Sequence, residues 1–325
     1  MTLRPVDRLE VLVLVDNATD MLSSAPAQVE SEGQRAARRG ILALGGNRLC
    51  CAAHGLSLLV TAYRGDARHA VLFDTGPEDY AFERNVTRLG VDLGEIDSLV
   101  LSHGHWDHAG AMLLALGAIR VRNGGRSTPC WLHPGMFRPR GVRTASGLVR
   151  PMEQIPSVEE LESFGADCFV TEEPQALHDG MFWISGEIPR VTPFERGFPG
   201  HMRRTEDGSG WEADDLLMDE RFLAVDVAGK GLVVLSACSH AGIVNVLQHA
   251  RTSFPDRPLH AAMGGLHLSG AKEAIIAETV DGLADFGLKM IAAGHCTGWR
   301  ALAALSRAFG DDALAPTAVG KTYRF

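Results

Sequence analysis

Cysteine is scarce in this chain and never paired in spacing. Cys50, Cys51, Cys130, Cys168, Cys238 and Cys296 are six in 325 residues, with no C-x-x-C. That spacing argues against a disulfide framework and for a reducing, cytoplasmic setting. An excess of positive charge is also missing, since 31 Lys and Arg stand against 40 Asp and Glu, a formal net charge of −9. Nucleic acids and anionic membranes are held through a basic footprint, so neither is expected as a partner. Long hydrophobic runs are lacking too. M-T-L-R-P-V-D-R-L-E has no apolar core, and V-L-V-L-V ends at Asp16, too short for a signal peptide or a membrane span. There is no low-complexity tract and no linker. With 46% apolar and 22% charged residues, a single domain over 1–325 with a full core is expected, and homo-oligomerisation is left open.

What the chain does have is histidine at strand ends. I-D-S-L-V-L at 96–101 reads as a short buried strand, and Ser102-His103-Gly104-His105-Trp106-Asp107-His108 follows it directly. In an extended backbone His103 and His105 leave the strand on the same side, while Asp107 and His108 sit where the chain turns into a helix over 109–117. Two imidazoles on one side, with a carboxylate and an imidazole on the other, suit one or two divalent metals. Zinc fits best, with iron or manganese as alternatives. His240, in Cys238-Ser239-His240, and His295 also end strand-like runs, and His267, within the run 259–268, is a candidate to hold the metal or to support its ligands. His54 and His201 are candidates for substrate contact, whereas His178 reads as a turn residue.

The arginines cluster. Arg120, Arg122, Arg126, Arg138, Arg140, Arg143 and Arg150 fall within one stretch that also carries Trp131, His133 and Phe137. Guanidinium forks bind carboxylate or phosphate at two points, so one or two of them, Arg138 and Arg140 among the candidates, would suit a small anionic, ring-bearing substrate. Loops are expected at about 120–150 and 192–220, the latter lying over the site. Strands are expected at 10–15, 49–62, 69–75, 118–122, 169–171, 181–186, at F-L-A-V-D-V and G-L-V-V-L-S-A, and at 259–268. Helices are expected at 78–90, 156–165, 271–287 and 300–309.

H-x-H-x-D-H resembles the signature of the metallo-β-lactamase-fold hydrolases. V-D-N at 15–17, H-G-L-S at 54–57, F-D-T-G at 73–76, S-G-E-I-P-R at 185–190, C-S-H-A-G-I-V-N at 238–245, G-G-L-H at 264–267 and H-C-T-G at 295–298 extend the likeness. Together they resemble the subfamily named for a dihydropterin-ribofuranosyl-aminobenzene-phosphate synthase. The resemblance implies an α/β fold, the αβ/βα four-layer sandwich, with a metal site at the rim between two sheets. It implies His103, His105 and His240 at one metal position and Asp107, His108 and His295 at the other. Asp74 would support the metal loop from behind, and Glu187 stands where many members have a ligand histidine. Most members carry a metal-bridging aspartate after S-G, but this chain reads S-A-C, so Cys238 or His240 takes that place or the bridge is absent. The activity implied is hydrolysis of an ester, lactone or phosphoester by a metal-activated hydroxide, with Asp107 and His108 catalytic. A pterin or phosphoribosyl-type synthase and a non-catalytic metal module are the alternatives.

Overall fold

The computed structural model describes residues 2–41, 43 and 45–325. Its first long strand explains the layering. In β1 (Arg8–Val15) Leu9, Val11 and Val13 are buried on one face and Leu12 and Leu14 on the other. A strand that is apolar on both sides has to lie between two layers. Next come β2 (Val29–Glu30), α1 (Glu32–Arg38), β3 (Ser57–Arg64), β4 (Ala67–Phe73), α2 (Asp79–Leu89) and β5 (Ser98–Val100). The chain continues through α3 (Trp106–Ala109), α4 (Met112–Arg122), β6 (Thr128–Leu132), β7 (Arg140–Arg143), β8 (Val149–Pro151), α5 (Val158–Ser163) and β9 (Ala166–Val170). The second half holds β10 (Gln175–Leu177), β11 (Phe182–Ile184), β12 (His201–Arg204), β13 (Trp211–Ala213), β14 (Leu223–Val227) and β15 (Gly231–Ser236). It ends with α6 (Ile243–Ser253), β16 (Leu259–Gly265), α7 (Ile276–Ala284), β17 (Met290–Gly294), α8 (Trp299–Phe309) and β18 (Thr322–Arg324).

An eight-stranded sheet runs β2-β18-β1-β3-β4-β5-β6-β9, and a six-stranded sheet runs β10-β11-β14-β15-β16-β17. Their facing surfaces share one core, with Val11, Val60, Val71 and Phe73 from the first sheet and Val225, Val233, Ala261 and Ala292 from the second. Phe82, Met112 and Leu161 cover the outer face of the first sheet, and Val246, Leu283 and Leu305 that of the second. This is the αβ/βα sandwich. Strands β4, β5 and β6 are parallel, as are β15, β16 and β17, so the segments that leave β5, β15, β16 and β17 carry the histidine motifs. Among the described residues no helix is long and apolar enough to cross a membrane.

Several expected elements differ. The strand at 118–122 is the end of helix α4, because Met112, Ala115, Leu116 and Ile119 keep a helical period of buried positions through A-I-R-V-R. The strand expected from 49 begins at Ser57, since the backbone amides of Cys50 and Cys51 are taken by the side chains of Glu32 and Asn85 rather than by a ladder. The loops at 120–150 and 192–220 contain a third sheet, ordered β13-β12-β7-β8, in which residues from both stretches pair. Neither stretch can form it alone, so neither reads as a strand locally.

Candidate metal centre

The loop after β5 is fixed from behind by one carboxylate. Buried Asp74 accepts the Ser102 amide and hydroxyl, each at 2.7 Å, and lies 2.7 Å from His108 Nδ1, so it ties both ends of H-x-H-x-D-H together. Gly104 is required by packing, because a Cβ there would stand 2.5 Å from the Met136 carbonyl oxygen. Asp74, Ser239, His267 and His295 all have left-handed backbones, with φ of 62, 58, 43 and 47°. Each such non-glycine residue costs on the order of 1–3 kcal/mol, and the four gather at this rim.

Proton placement follows from the outer nitrogens. Ser102 donates to Asp74, so its oxygen at 2.9 Å accepts from His103 Nδ1, which leaves a lone pair on His103 Nε2. His108 donates Nδ1–H to Asp74. His295 Nδ1 donates to Asn17 Oδ1 at 3.0 Å, and the other Asn17 atom, Nδ2, donates to His54 Nδ1 at 3.0 Å. His105 presents Nδ1 inward, 3.0 Å from His103 Nε2, while its outer Nε2 meets His201 Nε2 at 3.0 Å. His240 Nε2 is 3.2 Å from His103 Nε2. Inner lone pairs therefore converge on one space. His295 Nε2 is buried without a hydrogen-bond partner.

Burial and the neighbouring imidazoles push His103, His105, His240 and His295 well below the usual histidine range, so they are neutral and free to coordinate. His108 is the exception. Burial alone would depress it, but the Asp107 and Asp74 carboxylates outweigh this and hold it at about 9. A positive charge is thus favoured at its inner nitrogen, beside Asp107 Oδ2 at 3.6 Å. Asp107 Oδ2 is also 3.5 Å from His295 Nε2 and 3.7 Å from His54 Nε2.

The ligand atoms of His103, His105 and His240 lie within 4.8 Å of one another, and so do those of Asp107, His108 and His295. The Cys238 thiol falls between, within the same limit of His103 and His108, and of His295 and Cys296. Imidazole, carboxylate and thiol donors, most of them neutral, fit a borderline first-row dication such as zinc. Orphaned buried nitrogens and facing lone pairs are the two features that such an ion would relieve.

The other sequence candidates separate cleanly. His267 lies beside His240 with ring centroids 4.3 Å apart and planes tilted by 51°, and a ligand atom of each lies within 4.8 Å of the Cys238 thiol. His54 stands at the mouth with 62% of its side chain exposed. His201 reaches the outer nitrogen of His105, not the space between the ligands. Glu187 is a correction: it is half-exposed and 3.7 Å from His133, apart from the convergent atoms. Arg138 is another, since it is tied to Glu212 and the Arg204 carbonyl within the small sheet. Arg140 is buried, pairs with Asp219 at 2.5 Å and helps hold Gly104, whose amide donates to Asp219. His178 is indeed a turn residue, with φ of 49°.

Sequence reasoning missed Asp214, Asp219 and Glu220. Glu220 accepts the amides of His240 and Ala241 at 2.7 Å each and so sets the turn that carries His240. A usable signal was the charged run Asp219-Glu220-Arg221 directly before the wholly buried strand β14. Charges at such a place need partners.

Residues 54–174 match the family model described as the metallo-beta-lactamase superfamily. Over that segment the chain carries a metallo-beta-lactamase superfamily domain match. The matched part includes His54, Asp74 and the H-x-H-x-D-H loop, and the structure adds His201, His240, His267 and His295 from beyond it. Among relatives, the chain is 29% identical over 261 residues to 7,8-dihydropterin-6-methyl-4-(beta-D-ribofuranosyl)-aminobenzene-5'-phosphate synthase of Methanocaldococcus jannaschii, covering 80% of this chain and 86% of that protein. It is 26% identical to an uncharacterized protein of the same organism, MJ0448, covering 79% and 88%. Among solved structures, Tm1679, described as a metal-dependent hydrolase of the beta-lactamase superfamily, superposes with a TM-score of 0.71 at 23% identity over 98% of both chains. YhfI from Bacillus subtilis, a metallo-beta-lactamase fold protein, gives 0.50 at 12% over 98% of this chain and 100% of its own. These likenesses establish the metallo-beta-lactamase fold of the sandwich.

Proposed function

We propose that the protein is a metal-dependent hydrolase, with zinc as its ion, acting on an ester, lactone or phosphoester bond of a small anionic, ring-bearing molecule. The observation that carries this reading is the convergence of inner ligand atoms, with the outer nitrogens of His103, His108 and His295 held as donors by Ser102, Asp74 and Asn17. His103, His105 and His240 would hold one ion, and Asp107, His108 and His295 a second, with the Cys238 thiol beside both. When bound, such an ion supplies Lewis acidity and makes water acidic enough to be deprotonated near neutral pH.

The chain's own groups do the rest. Asp107 Oδ2, close to both inner nitrogens and to His54, orients the attacking water and accepts its proton. Asn17 donates to His54 Nδ1, so His54 carries its proton on Nε2 at the open mouth, where it can donate to a leaving oxygen. Burial of the histidines keeps water from competing for their lone pairs. Screening aryl esters, lactones and phosphodiesters tests the reading, with hydrolysis lost on chelation and in Asp107→Asn. Absence of turnover with all three classes in the metal-loaded protein would overturn it.

The name of the Methanocaldococcus jannaschii synthase supports a second reading, in which the same centre serves a pterin- or phosphoribosyl-type synthase. Assay with pterin and phosphoribosyl compounds in place of esters separates the two.

A further inference from the structure

Beside the metal centre lies a cavity of about 650 Å3 lined by Trp106, Val142, Thr144, Arg150, Pro151 and Met152. Trp106 sits between His105 and Asp107 in the sequence, and its ring is 6.0 Å from that of His54, so this wall of the cavity begins at the reaction site. The opposite wall is the small sheet. Val142 is directly across from His201 on one side and from Arg150 on the other. Residues opposed in antiparallel strands share a face. Thr144 and Met152 are two residues on from Val142 and Arg150, so by alternation they lie on that face too. The face is aimed by its inner end, where His201 Nε2 meets His105 at 3.0 Å.

Arg150 ends this row on the edge strand β8. It is exposed and forms no ion pair among the described residues. Glu153, the one acid of the lining, is exposed three residues further on. From His201 to Arg150 the row spans two strand spacings of about 4.8 Å, so about 10 Å in all.

We infer that this cavity is the substrate groove and that Arg150 anchors an anionic group of the substrate at its far end, about 10 Å beyond His201. Trp106 and the Met152 thioether flank a planar ring between the two ends, and the guanidinium fork selects a carboxylate or phosphate. The inference rests on the hydrolytic reading for its reacting bond, but the groove is defined without it.

The test uses the acetate ester of para-hydroxyphenylpropionate with phenyl acetate as its neutral counterpart, and calorimetric binding of para-hydroxyphenylpropionate itself. Arg150→Ala is compared with Arg143→Ala, a cation one strand over that pairs with Val149 and so belongs to the other face. In Arg150→Ala, binding of the acid weakens about tenfold or more and the preference for the anionic ester falls by a similar factor; Arg150→Lys restores part of both. Arg143→Ala binds the acid as the wild type does. Arg150-dependent binding without turnover of either ester would leave the groove standing and remove the hydrolytic reading. Turnover with an unaltered preference in Arg150→Ala, equal losses in both arginine variants, or absence of binding by the wild type would each overturn the groove.

Discussion

The two trios at the strand ends balance charge in different ways. His103, His105 and His240 are three neutral imidazoles whose outer sides meet a serine, another histidine and no hydrogen-bonding partner for His240 Nδ1. Asp107, His108 and His295 include a carboxylate, and their outer sides are held by Asp74 and Asn17. A cation in the first trio keeps its full charge, which favours polarising a substrate oxygen. A cation in the second is partly neutralised and more firmly anchored. On the hydrolytic reading proposed above, an ion in the first trio would supply Lewis acidity and the second trio would handle water.

Removing a shared ligand breaks the comparison most completely. His103 Nε2 belongs both to the all-histidine trio and to the set with His108 and Cys238. His103→Ala is expected to lower kcat/KM about a thousandfold or more, the equivalent of losing about 4 kcal/mol of charge stabilisation, in an assay of whichever ester proves to be turned over. Asp74→Ala should come next. It strips the outer partner from His108 and frees Ser102, and a loss of about 10–100-fold in metal affinity is expected by competition with a chelator. Its effect should fall on both trios together, because Asp74 touches both ends of the loop.

His201 sharpens the contrast, since it stands behind His105 alone, with Asp214 Oδ2 3.3 Å from its far nitrogen. His201→Ala is expected to weaken metal binding by about tenfold and only at the all-histidine trio. The d–d spectrum of the cobalt-substituted protein would register that change, and an equal perturbation of both positions would contradict the assignment.

The smallest effect lies far from the centre. Burial alone would raise the Asp20 carboxyl, but Lys321 and the Ser23 amide outweigh it and hold it at about 2. A depressed carboxylate stabilises the fold above its ordinary pKa of 3.8, and that contribution fades as pH falls from 3.8 through about 2. For a partly exposed pair it is within about 1 kcal/mol. Acid titration of the unfolding midpoint in wild type and Asp20→Asn should show full separation above about pH 4 and convergence only below about pH 2.

The legible parts were those where chemistry is local. H-x-H-x-D-H puts four donors in six residues, and His240 and His295 each end a buried strand, so they stand out from one segment alone. The unbroken apolar runs of β1 and β15 likewise mark strands buried on both faces, whereas the sandwich itself was implied by the family resemblance. The small sheet was not legible, because β7 and β12 are sixty residues apart and each is short and charged without the other. The same holds for Asp214, Asp219 and Glu220, and for the contact of His201 with His105, which exist only once the chain has brought them against the metal loop. The strand expected at 118–122 failed for a related reason. Five alternating residues carry too little pattern to outweigh a helix that begins six residues earlier.

Metal content tests the central claim most directly, measured by plasma mass spectrometry on protein purified without chelator, for wild type and for His103→Ala. The account predicts about one to two first-row ions per wild-type chain and a fall by about one in the variant, with the fold retained. A wild type without metal after zinc loading, or a variant that keeps its full complement, would contradict it.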